Sequence, residues 1–152
     1  MWGIDNGKGL WTWSFPNFSR SEFACPCCGW DDIDRMIPAL LQEFRDYLNS
    51  TFPPLVGQKE YKILVQSGCR CPNRNARVKG SSRSQHMKGK AVDFVVPGLK
   101  VQDIMLRIAQ LPSARAWIGY IEPAGGSATS CHIDVRKPNT QALRRWQRVG
   151  RG

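Results

Sequence analysis

Histidine is almost missing from this sequence: His86 and His132 are the two that occur among 152 residues. Acids are missing from one long interval, Glu60 to Asp93, which instead holds Lys62, Arg70, Arg74, Arg77, Lys79, Arg83, Lys88 and Lys90. None follows Asp134 either. No window approaches the roughly 20 consecutive apolar residues that a membrane-spanning helix needs. The start, MWGIDNGKGLWTWSF, has no basic leader followed by an apolar stretch. The expectation is a protein made in the cytoplasm without an export signal. There is no internal repeat, low-complexity tract or linker to divide the chain, so a single domain is expected.

With 41% hydrophobic residues the chain can bury a core of its own. Its formal charge of +10 favours polyanionic partners, whether nucleic acid, an anionic lipid surface or polymers of a bacterial envelope, and does not choose among them. Six cysteines are too few for a disulfide-built scaffold of this length, and they crowd into CPCC and CRC. Free thiols are the ordinary reading. A sharper one is a structural zinc site in which Cys25 and Cys28, spaced C-x2-C, join Cys69 and Cys71, although C-x-C is not the usual second half of such a site.

An aromatic arm, residues 1–17, carries Trp2, Trp11, Trp13 and Phe15; it could stack on sugars, but such arms more often pack over a core. Ser19 and Glu22 have capping-box spacing and start a short helical turn. From Asp32, the residues Ile33, Ile37, Leu40, Leu41, Phe44 and Leu48 recur at helical spacing up to NSTFPP. YKILVQSG reads as a strand, and Pro72 and Gly80 bracket a short helix. AVDFVVPG is a second strand. Val101, Ile104, Met105, Ile108 and Leu111 predict a second long helix, and WIGYIEP and CHIDVR two further strands joined by AGGSATS. A basic helix is expected within 138–152. The sum is an α+β domain, with a small, mostly antiparallel sheet flanked by helices.

In CHIDVR, strand alternation puts Cys131, Ile133 and Val135 on one face and His132, Asp134 and Arg136 on the other. If residues 86 to 93 ran extended, His86 and Asp93 would lie roughly 23 Å apart, too far to share an ion, so the segment must fold back. Gly89 makes that turn sterically cheap. Asp93 then faces the site with Ala91 and Val95, while Val92, Phe94 and Val96 enter the core. The ordinary role of a lone histidine is a side chain satisfied by hydrogen bonds. Here, however, His86, Asp93 and His132 converge. Two imidazoles and a carboxylate suit a catalytic zinc, which takes three protein ligands and leaves a fourth position open. The HID of residues 132–134 also matches the H-x-D of iron(II) oxygenases; those enzymes usually place their other histidine after it, and none follows here.

SQHMKGKAVDF resembles the S-x-H-x-x-G-x-A-x-D signature of the zinc D-alanyl-D-alanine carboxypeptidase family, which includes phage endolysin peptidases and D,D-dipeptidases and shares its fold with the hedgehog signalling domain. FSRSEFACPCCG, SGCRCPNRNARVKG and CHIDVR extend the likeness in family order over residues 18 to 136. The resemblance implies a hedgehog/D,D-peptidase-like domain over residues 18–137 that hydrolyses peptide bonds of bacterial peptidoglycan. It implies zinc ligands His86, Asp93 and His132, with Ser84 beside the substrate and Arg70 facing the scissile carbonyl or a terminal carboxylate. Many relatives carry an acid three residues before the last histidine, and here that position is Thr129. Asp134 and Glu122 are the remaining candidates for the proton-transferring carboxylate. The implied protein is a monomer acting at the cell wall or periplasm, with a phage product one route there. Two other functions compete: a wall-binding or virion-structural module that keeps the fold without turnover, and a basic nucleic-acid-binding protein with cysteine-held zinc.

Overall fold

The structure, a computed structural model, describes residues 11–137. Trp2 of the aromatic arm and the basic helix expected within 138–152 lie outside them. Among the described residues, four helices and four strands follow in the order α1 (Met36–Thr51), β1 (Leu64–Ser67), α2 (Pro72–Arg77), β2 (Ala91–Val95), α3 (Val101–Ile108), α4 (Pro112–Trp117), β3 (Tyr120–Pro123) and β4 (Cys131–Asp134), with short 3-10 turns between them. The strands form one sheet of order β1-β2-β4-β3, and every neighbouring pair is antiparallel. The architecture is the small single-domain α+β fold anticipated above.

Alternation divides the sheet into two chemically distinct faces. Val92, Phe94, Ile121, Cys131 and Ile133 are fully or almost fully buried on the inner face, together with Ile37, Leu40, Leu41, Phe44 and Leu48 of α1. Phe44 meets Phe94 edge-on, with ring centroids 6.3 Å apart. Each such buried side chain stabilises the fold by about 1.5–3 kcal/mol relative to exposure. The apolar stripe of α1 thus supplies the lid that lets the other sheet face stay polar. Trp11 and Trp13 stack at 5.4 Å, and Trp13 also meets Phe15 and Phe23. The described part of the arm therefore packs over the core.

Two boundaries depart from the sequence expectation. Ile33 is buried but precedes α1, because the Asp34 carboxylate accepts the Met36 amide at 2.9 Å and starts the helix there. The expected second long helix stops at Ile108, and Leu111 turns extended before Pro112. The proline ring disfavours helical backbone in the residue before it and can occupy the first turn of a new helix, so α4 begins as a separate element. In β1 the register slips between Val65 and Ser67, so that Ser67 rather than Gln66 stands opposite Asp93. This bulge re-aims Ser67 toward the polar face.

Candidate metal centre and its cleft

Residues paired directly across antiparallel strands project to the same side of a sheet. One row runs across all four strands here: Ser67 opposite Asp93, Asp93 opposite His132, and His132 opposite Glu122. His86 joins the row from outside the sheet. It lies in the 3-10 turn Gln85–Lys88, whose N-cap Ser84 accepts the His86 amide through its hydroxyl at 3.3 Å. Gly89 ends that turn at φ +67, and a Cβ there would stand 2.2 Å from the Asp32 carbonyl oxygen. The fold-back required by the distance between His86 and Asp93 is thus made by a left-handed glycine with backbone on its open side.

A nitrogen from each imidazole and an oxygen of Asp93 lie within 4.8 Å of one another. The outer ring nitrogens are tied down. His86 Nδ1 donates to the Gly68 carbonyl at 2.7 Å, which directs Nε2 toward Asp93 at 3.2 Å. His132 Nε2 donates to Asp134 at 2.9 Å, which directs Nδ1 toward Asp93 at 2.8 Å. Such second contacts fix the orientation of metal-binding imidazoles and raise their basicity. The donor set and its outer contacts fit a zinc ion with one open position.

The electrostatics follow from these contacts. Burial alone would raise the Asp93 pKa, but hydrogen bonds from His132 and His86 outweigh it and hold the carboxyl well below its ordinary range. Burial pushes the His132 imidazole down, yet hydrogen bonds to Asp134 and Asp93 prevail and hold its pKa up at about 9. Arg70 is half-wrapped by the site: Nη2 donates to the second Asp93 oxygen at 3.2 Å and Nε to Ser67 Oγ at 3.0 Å, while Nη1 reaches Asn75 Oδ1 at 3.4 Å. Burial lowers its pKa against the pull of Asp93.

The two acids considered for proton transfer have different surroundings. The Asp134 side chain has no exposure; it receives His132 Nε2 together with Nε and Nη2 of Arg136, at 2.8 and 2.6 Å. Glu122 lies on the wall of a cleft of about 640 Å³ together with His86, Asp93, His132, Arg70 and Ser84. The Tyr120 hydroxyl donates to it at 2.9 Å. Thr129 is exposed in the loop before β4.

Several contributors escaped the sequence reading. Tyr120 sits two residues from Glu122 on the same strand face, a period-two signal that could have found it. Asn75 is buried, bonding Arg70 and the Ser81 carbonyl, and nothing in its local sequence marks it. The Gly68 carbonyl is a backbone group and carries no signal at all.

A second cluster corrects the expected cysteine set. Cys25, Cys28 and Cys71 bring their sulfurs within 4.8 Å of one another, and Cys69 is not among them. Cys69 is fully buried in the apolar core, where burial pushes its thiol up to about 12. Its amide is held by the Phe23 carbonyl at 2.8 Å. Cys71 caps α2 with its sulfur turned to the Arg74 amide at 3.4 Å, so the two cysteines of CRC part company.

The antiparallel sheet thus gathers two imidazoles, a carboxylate and a further acid at one open cleft, a set of groups that could hold one metal ion. The chain belongs to the Peptidase M15 family, whose model matches residues 16–120, well over half of the chain. These are the zinc D-Ala-D-Ala carboxypeptidase-like peptidases. The match takes in Arg70, Ser84, His86 and Asp93 and ends before Glu122, His132 and Asp134. No curated protein matches the chain.

Proposed function

We propose that this protein is a zinc-dependent peptidase that cuts peptide bonds in the stem peptides or cross-links of bacterial peptidoglycan, with His86, Asp93 and His132 as the metal ligands and Glu122 as the proton-transferring acid. The observation that carries the reading is the row Asp93–His132–Glu122, which sets an acid beside the ligand cluster on the wall of one cleft. A zinc ion there supplies Lewis acidity toward both a scissile carbonyl and a water molecule.

The chain's own groups do the rest. Glu122 takes the proton from the attacking water and returns it to the leaving amine, a role open to a carboxylate within hydrogen-bond reach of the reacting atoms. Tyr120 orients that carboxylate through its hydroxyl. Asp134, enclosed by Arg136 and His132, positions the imidazole. Arg70 steadies Asp93 and adds positive charge at the cleft, where Lys79, Arg83 and Arg136 also line the wall. That wall suits a substrate bearing carboxylates, as peptidoglycan stems do. Ser84 holds the His86 turn and lies at the rim. No described helix is long and apolar enough to cross a membrane, and a phage-encoded enzyme released at the wall is one setting that fits this chemistry.

Mass spectrometry of muropeptides after digestion of purified sacculi tests both activity and bond. Wild type with zinc is expected to release new amino termini, and wild type with chelator or His86→Ala to release none. Equal inertness of wild type and His86→Ala in excess zinc would leave a wall-binding or structural module as the surviving reading. Salt-sensitive nucleic-acid binding unaffected by His86→Ala, without hydrolysis, would favour the third.

A further inference from the structure

Two segments remote in sequence meet away from the cleft. Cys25-Pro-Cys-Cys28-Gly29 forms a tight turn in which the Gly29 amide donates to the Cys25 carbonyl at 2.8 Å and Gly29 adopts φ +80. The turn faces Cys71, forty-six residues onward, whose amide points at Cys25 Sγ at 3.4 Å. The amides of Cys27 and Cys28 also bond Cys25 Sγ, the Trp30 amide bonds Cys28, and the Arg74 amide bonds Cys71. At Cys25 burial is outweighed by the backbone amides, which pull the thiol down to about 6, towards the thiolate that binds metal. Contact with the Cys71 thiol pushes Cys27 up. At Cys28 the Trp30 amide is outweighed by burial and the neighbouring thiols, which push it up. Cys27 is exposed, and its thiol contacts that of Cys71.

We propose that Cys25, Cys27, Cys28 and Cys71 hold a second, structural zinc ion. Tetrahedral zinc at about 2.3 Å from each sulfur requires sulfurs about 3.8 Å apart. The trio Cys25, Cys28 and Cys71 is already gathered within 4.8 Å. Cys27, exposed beside Cys71, completes the set through rotation of its side chain. The backbone already has the form of a knuckle: a C-P-x-C-G turn wraps amides around the first sulfur, and a second segment closes the shell. The ion would clamp the 25–29 turn to the 69–75 segment, which presents Arg70 to Asp93. This site is independent of the proposed hydrolysis, because no reacting group belongs to it.

Metal analysis of the full chain, purified with reductant and zinc, is expected to find two zinc ions per chain, falling to one in His86→Ala. Cobalt substitution reads the ligands directly. Wild type and His86→Ala should show the intense near-ultraviolet band of thiolate-to-cobalt charge transfer, and Cys71→Ser should lose most of it. Cys69→Ala should keep the band unchanged. Cys27→Ser should weaken it by about a quarter, as one thiolate of four is removed. A wild-type protein that binds one metal, lost with His86→Ala, and shows no thiolate band would overturn the proposal, whatever the variants do. So would finding these cysteines as disulfides in protein purified without oxidant. An unchanged band in Cys27→Ser would remove Cys27 from the ligand set.

Discussion

At the residue scale, the proposed site separates holding from reacting. Each imidazole spends one nitrogen on an outer acceptor, the Gly68 carbonyl for His86 and the Asp134 carboxylate for His132, and turns the other to the common point. Glu122 accepts the Tyr120 hydroxyl and lies on the cleft wall. The two acids should therefore fail differently. Glu122→Gln is expected to keep its zinc and lower kcat by about 10²–10⁴-fold with little change in KM. Asp134→Asn is expected to weaken zinc affinity by about 10–100-fold in a chelator competition, and to recover much of its activity when zinc saturates. A crossed result, with Asp134→Asn zinc-replete but inert and Glu122→Gln active, would assign the proton transfer to Asp134.

At the element scale, turns and strand register bring His86, Asp93 and His132 together. The 3-10 turn Gln85–Lys88 delivers His86, and the turn exists because Gly89 accepts a left-handed backbone against the Asp32 carbonyl. Gly89→Ala would force φ +67 on a side-chain-bearing residue, at a cost of about 1–2 kcal/mol, before the clash with Asp32 is relieved. The expected outcome is a lowered denaturation midpoint together with weaker zinc binding, since the turn carries the proposed ligand His86. A variant with wild-type midpoint and affinity would show that the turn is not what places His86. The strands, α1 and the Gly89 fold-back were all legible, because period-two and period-3.6 patterns are local properties. The Ser67 bulge and the break between α3 and α4 were less so. The bulge arises from pairing with β2, while the break follows from Pro112, which disfavours helical backbone at Leu111.

At the scale of the whole molecule, the hydrogen-bonded chain Asp93, His132 and Asp134 makes stability depend on pH. Without metal, His132 is held up at about 9 against an ordinary 6.5. A group whose pKa is raised by folding stabilises the fold fully below its unfolded value and loses that contribution as pH rises through the folded one. Chelator-treated protein should therefore lose melting temperature between about pH 6.5 and 9. Asp93, held low, acts in the opposite direction, its contribution being lost in acid below the ordinary carboxylate range. With zinc the trend should reverse in the alkaline window, because binding displaces the proton from His132 and tightens as pH rises. A flat thermal profile of the chelated protein across that window would contradict the Asp134–His132–Asp93 chain of hydrogen bonds.

The sequence by itself determined the class of fold, the strands that carry Asp93 and His132, the faces those residues share and the need for a turn at Gly89, because alternation, helical spacing and chain reach act between near neighbours. It also carried the family signature. Only tertiary structure decided that Glu122 lines the cleft while Asp134 is enclosed by Arg136, that Arg70 reaches the second oxygen of Asp93, and that Cys69 belongs to the core while Cys71 joins Cys25 and Cys28. Those outcomes depend on which strand lies beside which and on what surrounds a side chain once the core has closed, and no local pattern encodes either.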